Sequence, residues 1–201
     1  VTAVVAPSLA PDEDRGLPVV TSTKLHLGCG KRFIPGFCHI DAQAAPHVDI
    51  VAQVEDLSFI PSETIDLIYA SHVLEHFGRW EFRLVLAEWR RVLKPGGVLR
   101  IAVPDFAACA TLYYEHGLED GLNGLIGLIS GGQRNPYDLH KMIFDEALLS
   151  RELLLVGFRS VRRWDWRTTE HAAIDDYSQA YIPHLNKDTG MLVSLNLEAE
   201  R

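Results

Sequence analysis

The sequence predicts an α/β fold, a largely parallel sheet with antiparallel pairing near its C-terminal end. Three observations predict it. Short apolar runs recur through the first half, at 24–27, 37–41, 48–52 and 65–70. The last of these, Ile65-Asp66-Leu67-Ile68-Tyr69-Ala70, is nearly continuously apolar, as in strands buried on both faces of a parallel sheet. A helix-period pattern over 79–93 follows it, and 191–199 alternates apolar with polar residues.

With 201 residues the chain is long enough to bury a substantial core, and one domain is expected over 24–201. Residues 1–23 are rich in proline, alanine and acids without helical period, so an extended or partly disordered lead-in is expected there. A formal charge of −8 argues against a broad nucleic-acid surface. No apolar run approaches the about 20 residues that span a bilayer. The first six residues are too short for a signal-peptide core and lack a basic start. Cys29, Cys38 and Cys109 form no even framework, so a reducing, cytoplasmic setting is expected.

Taken in order, the first strand ends in Gly28-Cys29-Gly30 and the second ends in Asp41. Only residues 30–37 separate them, with a Pro35-Gly36 turn, where parallel strands usually need about a dozen residues. The link before the third strand, 42–47 with Pro46, is equally short. These crossovers leave one face of the first strands without helices, and something must cover it. The lead-in, the 119–134 segment or a second subunit would serve, and a homodimer is favoured. In the 79–93 helix, Phe82, Val85, Leu86, Trp89, Val92 and Leu93 share a face. Lys94-Pro95-Gly96-Gly97 stops it and leads into a fifth strand, 98–103. A helix opens at Pro104-Asp105, and 119–134 is ambiguous because glycines interrupt a helical spacing. Asp145 is placed to N-cap a helix that Gly157 ends, and a strand follows at 158–164.

With this order in place, the chain resembles the class I S-adenosylmethionine-dependent methyltransferases. Four stretches carry the resemblance: 25–30, Leu-His-Leu-Gly-Cys-Gly; 54–59, Val-Glu-Asp-Leu-Ser-Phe; 65–68 continuing into Ser71-His72-Val73-Leu74-Glu75-His76; and Leu93-Lys94-Pro95-Gly96-Gly97. It implies a Rossmann-like, seven-stranded, mostly parallel sheet with an antiparallel C-terminal strand and shortened helices after strands 1 and 2. It also implies S-adenosyl-L-methionine as cofactor and a small-molecule or glycan-type methyl acceptor. By the same resemblance Gly28, Cys29 and Gly30 face the methionine part, Asp41 holds the ribose hydroxyls, and Gln53 and Val54 meet the adenine. Ser71 and His72 then lie beside the methyl group. The family more often has Asp where Gln53 stands, although a glutamine carbonyl still accepts from an amine. A narrower resemblance, through Pro35-Gly36-Phe37 and 69–77, is to small methyltransferases found among polysaccharide-assembly genes.

A dinucleotide site is the sharper rival. It wants a third glycine where Phe33 stands and an acid about 20 residues further on. Asp41 comes too early, and the gap at 30–37 leaves no helix to hold a pyrophosphate. A sulfonium nucleoside needs neither. A non-catalytic partner subunit of the same fold is the other alternative. Asp105 and His140 are the candidate general bases and His72 the candidate at the active-site edge, though Asp105 equally suits a helix N-cap. His72 and His76 are four apart, but no third ligand is evident and no metal is expected.

Overall fold

The computed structural model describes residue 20, residues 22–118 and residues 124–201. Most of the expected lead-in, and 119–123 of the ambiguous stretch, lie outside the described residues. In chain order the elements are β1 (Lys24–Leu27), β2 (Cys38–Asp41), β3 (Ile50–Val51), β4 (Ile65–Ser71), α1 (Phe82–Val92), β5 (Leu93–Pro104) and α2 (Phe106–His116). Then come α3 (Leu125–Ser130), α4 (Glu146–Val156), β6 (Arg159–Arg163), β7 (Tyr181–Ile182), β8 (Met191–Leu192) and β9 (Ser194–Glu200). The sheet has seven strands in the order β3-β2-β1-β4-β5-β9-β6, and β7 and β8 form a separate hairpin. The first five run parallel, and β9 is antiparallel to both neighbours. No helix of the described residues is long and apolar enough to cross a membrane.

One sheet face is covered as the helical pattern requires. Phe82, Val85, Leu86, Trp89 and Val92 of α1 are buried against Ile68, Ala70, Leu99 and Ile101, with Leu149 and Leu153 of α4 beside them. Each such side chain contributes about 1.5–3 kcal/mol on burial. The two helices are clamped by the fully buried Glu152, which accepts from Arg83 Nη2 at 3.0 Å and Arg151 Nη2 at 3.1 Å. Asp145 accepts from Leu148 N at 2.7 Å and Gly157 closes α4 at φ 103°, as expected of a cap and a left-handed stop.

Four expectations need correction. α1 begins at Phe82 rather than at 79, because Glu81 Oε2 accepts from Gly78 N at 2.8 Å and closes a turn first. The Pro-Gly segment lies inside β5: Leu93 pairs with Ile65 and Val98 with Leu67, so residues 94–97 bulge out. The expected 191–199 strand divides into β8 and β9, and β9 is buried on both faces: Leu195, Leu197 and Ala199 pack in the core with Leu149 and Leu153 of α4, and Asn196 on the other side meets Ser178. Its polar side is satisfied internally: Glu198 accepts from Arg100 Nε at 2.8 Å and Arg162 Nη2 at 3.0 Å, and Asn196 Nδ2 donates to Ser178 O at 2.9 Å.

The fourth concerns the face left without helices. Its apolar residues, Ile34, Phe37, Leu67 and Tyr69, pack with Trp164 and Ile174, and His171 lies tilted against Tyr69 at 4.3 Å between ring centroids. The irregular segment after β6 therefore covers this face, so the covering problem does not call for a second subunit.

Candidate active site

The chain turns at the ends of β1 and β2 in a way that only glycine permits cheaply. Gly28 and Gly30 have φ of 61° and 53°, in the left-handed region. A Cβ on Gly28 would stand 2.5 Å from Val73 Cγ2, so the loop lies directly against the segment after β4. A Cβ on Gly30 would meet nothing within 4 Å, so that side of the loop is open. Asp41 anchors the loop from the tip of β2, accepting from Gly30 N (Oδ2, 2.8 Å) and Gln43 N (Oδ1, 2.8 Å). An ionised carboxylate has about four acceptor positions, so each oxygen of Asp41 retains one. Residues 30–37 contain no helix, as the short crossover requires.

Beyond Val73, three histidines surround a carboxylate. The His72 side chain is buried, and its backbone stands at φ 55°, a conformation that costs a non-glycine residue about 1–2 kcal/mol. Ser194 Oγ donates to Asn196 Oδ1 at 2.9 Å, so it accepts from His72 Nε2 at 3.2 Å, and the ring's lone pair is on Nδ1. That Nδ1 stands 3.3 Å from Glu75 Oε1. Glu75 is fully buried, and among the described residues neither of its oxygens has a hydrogen-bond partner. Burial pushes its carboxyl up to about 8, and burial followed by the nearby His140 and His76 pushes His72 down to about 3. His140 Nε2 lies 3.9 Å from the same Glu75 oxygen, and its ring is 4.9 Å from that of His76. Burial lowers both of these histidines as well.

The remaining expected residues are dispersed around this line. Gln53 Nε2 donates to Tyr137 Oη at 3.3 Å, and the buried Val54 accepts from Trp89 Nε1 through its carbonyl at 2.8 Å. Ser71 ends β4, next to His72. Cys29 is buried, and its thiol is pushed up to about 12 by burial and then by Asp41, which suits packing rather than nucleophilic chemistry. Asp105 takes the capping role: Oδ1 accepts from Ala107 N at 3.0 Å and Ala108 N at 3.4 Å, and Oδ2 lies 3.6 Å from Arg163. It is not among the groups that converge on Glu75.

Residues 25–101 match a family model described as a methyltransferase domain. The matched stretch marks the chain as an S-adenosylmethionine-dependent methyltransferase. Three solved structures show how far the methyltransferase shares its fold. A SAM-dependent methyltransferase from Thermotoga maritima is 13% identical at a TM-score of 0.55, covering 88% of this chain and 81% of its own. One from Archaeoglobus fulgidus is 16% identical at 0.53, with 89% and 85% covered. The Burkholderia thailandensis 1,6-didemethyltoxoflavin-N1-methyltransferase, solved with that substrate and S-adenosylhomocysteine, is 15% identical at 0.53, with 89% and 70% covered. At these identities the likeness is one of fold. No curated protein matches the chain.

The cofactor of this family is S-adenosyl-L-methionine, and the residues of the methyltransferase fit it. The open side of Gly30 and the spare acceptor positions of Asp41 face the same loop end. Several groups of the corner escape a reading by sequence. Ser194 lies on a strand whose polar residues look solvent-facing. Tyr177, whose ring is 5.2 Å from that of His72, and Tyr137 lie in segments without period. Glu75 looks like an ordinary helix-start acid until its burial is known.

Proposed function

We propose that this methyltransferase moves the cofactor's methyl group to a hydroxyl of a small-molecule or glycan-type acceptor. The observation that carries the reading is the close packing of Gly28 on Val73, which joins the glycine loop to the histidine corner. In this reading Gly28, Cys29 and Gly30 line the methionine part, Asp41 accepts from the ribose hydroxyls, Gln53 and Val54 meet the adenine, and Ser71 and His72 border the methyl group. The cofactor supplies a methyl carbon on a positively charged sulfur. The chain's own part is to position the acceptor oxygen in line with that carbon and to take its proton. Positioning contributes on the order of 7–11 kcal/mol when the geometry is ideal. His140 Nε2 is the proton-accepting atom: its Nδ1–H is spent on Leu128 O at 2.8 Å, and burial keeps the ring neutral at pH 7. The exposed rings of Tyr137 and Tyr177 border this corner and suit a hydroxyl-rich acceptor.

A transfer screen with methyl-labelled S-adenosylmethionine tests activity and acceptor together. Sugars and sugar-linked intermediates should carry label on oxygen. Label appearing only on amines or carboxylates would contradict the hydroxyl reading. No transfer to any acceptor, with the cofactor still bound, would favour a non-catalytic partner of the same fold.

A further inference from the structure

We propose that Glu75, His76 and His140 bind a divalent transition cation of the zinc type at the acceptor end of the site. One donor atom from each lies within 4.8 Å of the others. Donors on one ion at about 2.0–2.2 Å stand about 3–4 Å apart, so small rotations of the imidazoles complete the approach.

The tautomers point the same way. His76 Nδ1 lies 3.0 Å from Leu139 O and His140 Nδ1 lies 2.8 Å from Leu128 O. A carbonyl only accepts, so both N–H groups are spent outward and both Nε2 lone pairs are left. An outward N–H on a backbone carbonyl is the outer-shell arrangement of metal-ligating histidines. Between the rings stands the bare, fully buried Glu75 carboxylate. A buried carboxylate beside two imidazole lone pairs is costly unless a proton or a cation joins them.

The backbone brings the distant ligand into place. Lys141 N and Met142 N both donate to Glu75 O, at 2.8 and 3.1 Å, and tie the segment after His140 to the turn that carries Glu75 and His76. Two imidazoles and a carboxylate form a set known from catalytic zinc sites, which keep a position open for an oxygen ligand. A proton shared between Glu75 and His72 Nδ1 is the rival. It would satisfy one carboxylate oxygen and leave both Nε2 atoms bare.

In the cation-free protein His140 Nε2 is the proton acceptor of the proposed transfer; with the ion bound it is a ligand, and the ion instead lowers the acceptor hydroxyl's pKa. That reading of the open position rests on the proposed methyl transfer; cation binding does not. The test uses the full chain, treated with chelator and dialysed. It is titrated with Zn²⁺ by calorimetry and with Co²⁺ by visible absorption, alongside S-adenosylhomocysteine. One saturable zinc site is expected, with cobalt bands typical of nitrogen ligation. His76→Ala and His140→Ala should weaken zinc by more than the about 10–100-fold typical of losing an outer hydrogen bond. Glu75→Gln should do likewise, with S-adenosylhomocysteine binding retained. His140→Asn keeps an N–H for Leu128 O and removes the ligand nitrogen, and so replaces the alanine variant if that does not fold. No saturable zinc binding, or equal binding by native chain and variants, would overturn the cation site. Absent S-adenosylhomocysteine binding by the native chain would instead overturn the methyl-transfer reading.

Discussion

Two groups of histidines in this molecule have different surroundings, and the contrast separates scaffold from site. His26 and His39 lie side by side on β1 and β2, with Tyr69 of β4 opposite His26. Phe37, Trp164 and His171 complete this layer on the sheet face. His39 is satisfied, accepting from Ile34 N at 2.9 Å through Nε2 while its Nδ1 stands 3.2 Å from Asp49. The second group, His72, His76 and His140, gathers beyond the carboxyl end of β4, where open α/β sheets bind ligands. It converges on a buried carboxylate with no hydrogen-bond partner among the described residues. Imidazoles that pack on rings hold the fold together, and imidazoles that leave lone pairs aimed at one point are available for chemistry.

The largest expected consequence of that division is kinetic. His140→Ala should lower methyl transfer by about 10²–10⁴-fold, the usual contribution of a positioned base, with the thermal midpoint little changed. Steady-state rates and a melting curve on the same sample decide it, and an unchanged kcat would remove His140 from the site. The converse variant, His26→Ala, should cost about 2–3 kcal/mol of stability by leaving a cavity among packed rings. Its activity per folded molecule should equal that of the native chain, as urea titration and rate measurement together would show. A drop in activity without a drop in stability would break the distinction.

A smaller effect is expected in the pH dependence of stability. Burial, followed by its histidine neighbours, holds His26 down at about 3, so the native state leaves it neutral while the unfolded chain protonates it near 6.5. Below pH 6.5 the unfolded chain therefore binds more protons. This contribution is complete above pH 6.5 and is lost as pH falls toward 3. Urea midpoints should decline between pH 7 and pH 5, above the range in which ordinary carboxylates titrate. His26→Phe should make that decline shallower, with His72, held down to about 3 in the same way, supplying the remainder; an identical slope would assign it to other groups.

What could be read in advance follows from how local each signal is. β1, the glycine turn, Asp41 and the capped α4 are written in neighbouring residues, and the structure keeps them. The cover on the helix-free face is not: Trp164, His171 and Ile174 follow no period and become partners of Tyr69 only through the tertiary fold. The polar residues of β9 alternate as an exposed strand would, yet they are buried because Ser178 and the side chains of Arg100 and Arg162 cover that face. His140 reaches Glu75 through backbone bonds from Lys141 and Met142, across more than sixty residues that no spacing rule spans. Short-range motifs thus carry the glycine-loop side of the candidate site, while its histidine corner depends on long-range packing.

The central claim is that Asp41, beside the glycine loop at Gly28 and Gly30, holds the ribose hydroxyls of the nucleoside. Calorimetric titration of S-adenosylhomocysteine into the native chain and Asp41→Ala tests it most directly. One binding site is expected, weakened in the variant by about 1.5–3 kcal/mol, the contribution of hydrogen bonds to a charged group. Equal affinity in the two proteins would show that the ribose is held elsewhere and would contradict the account.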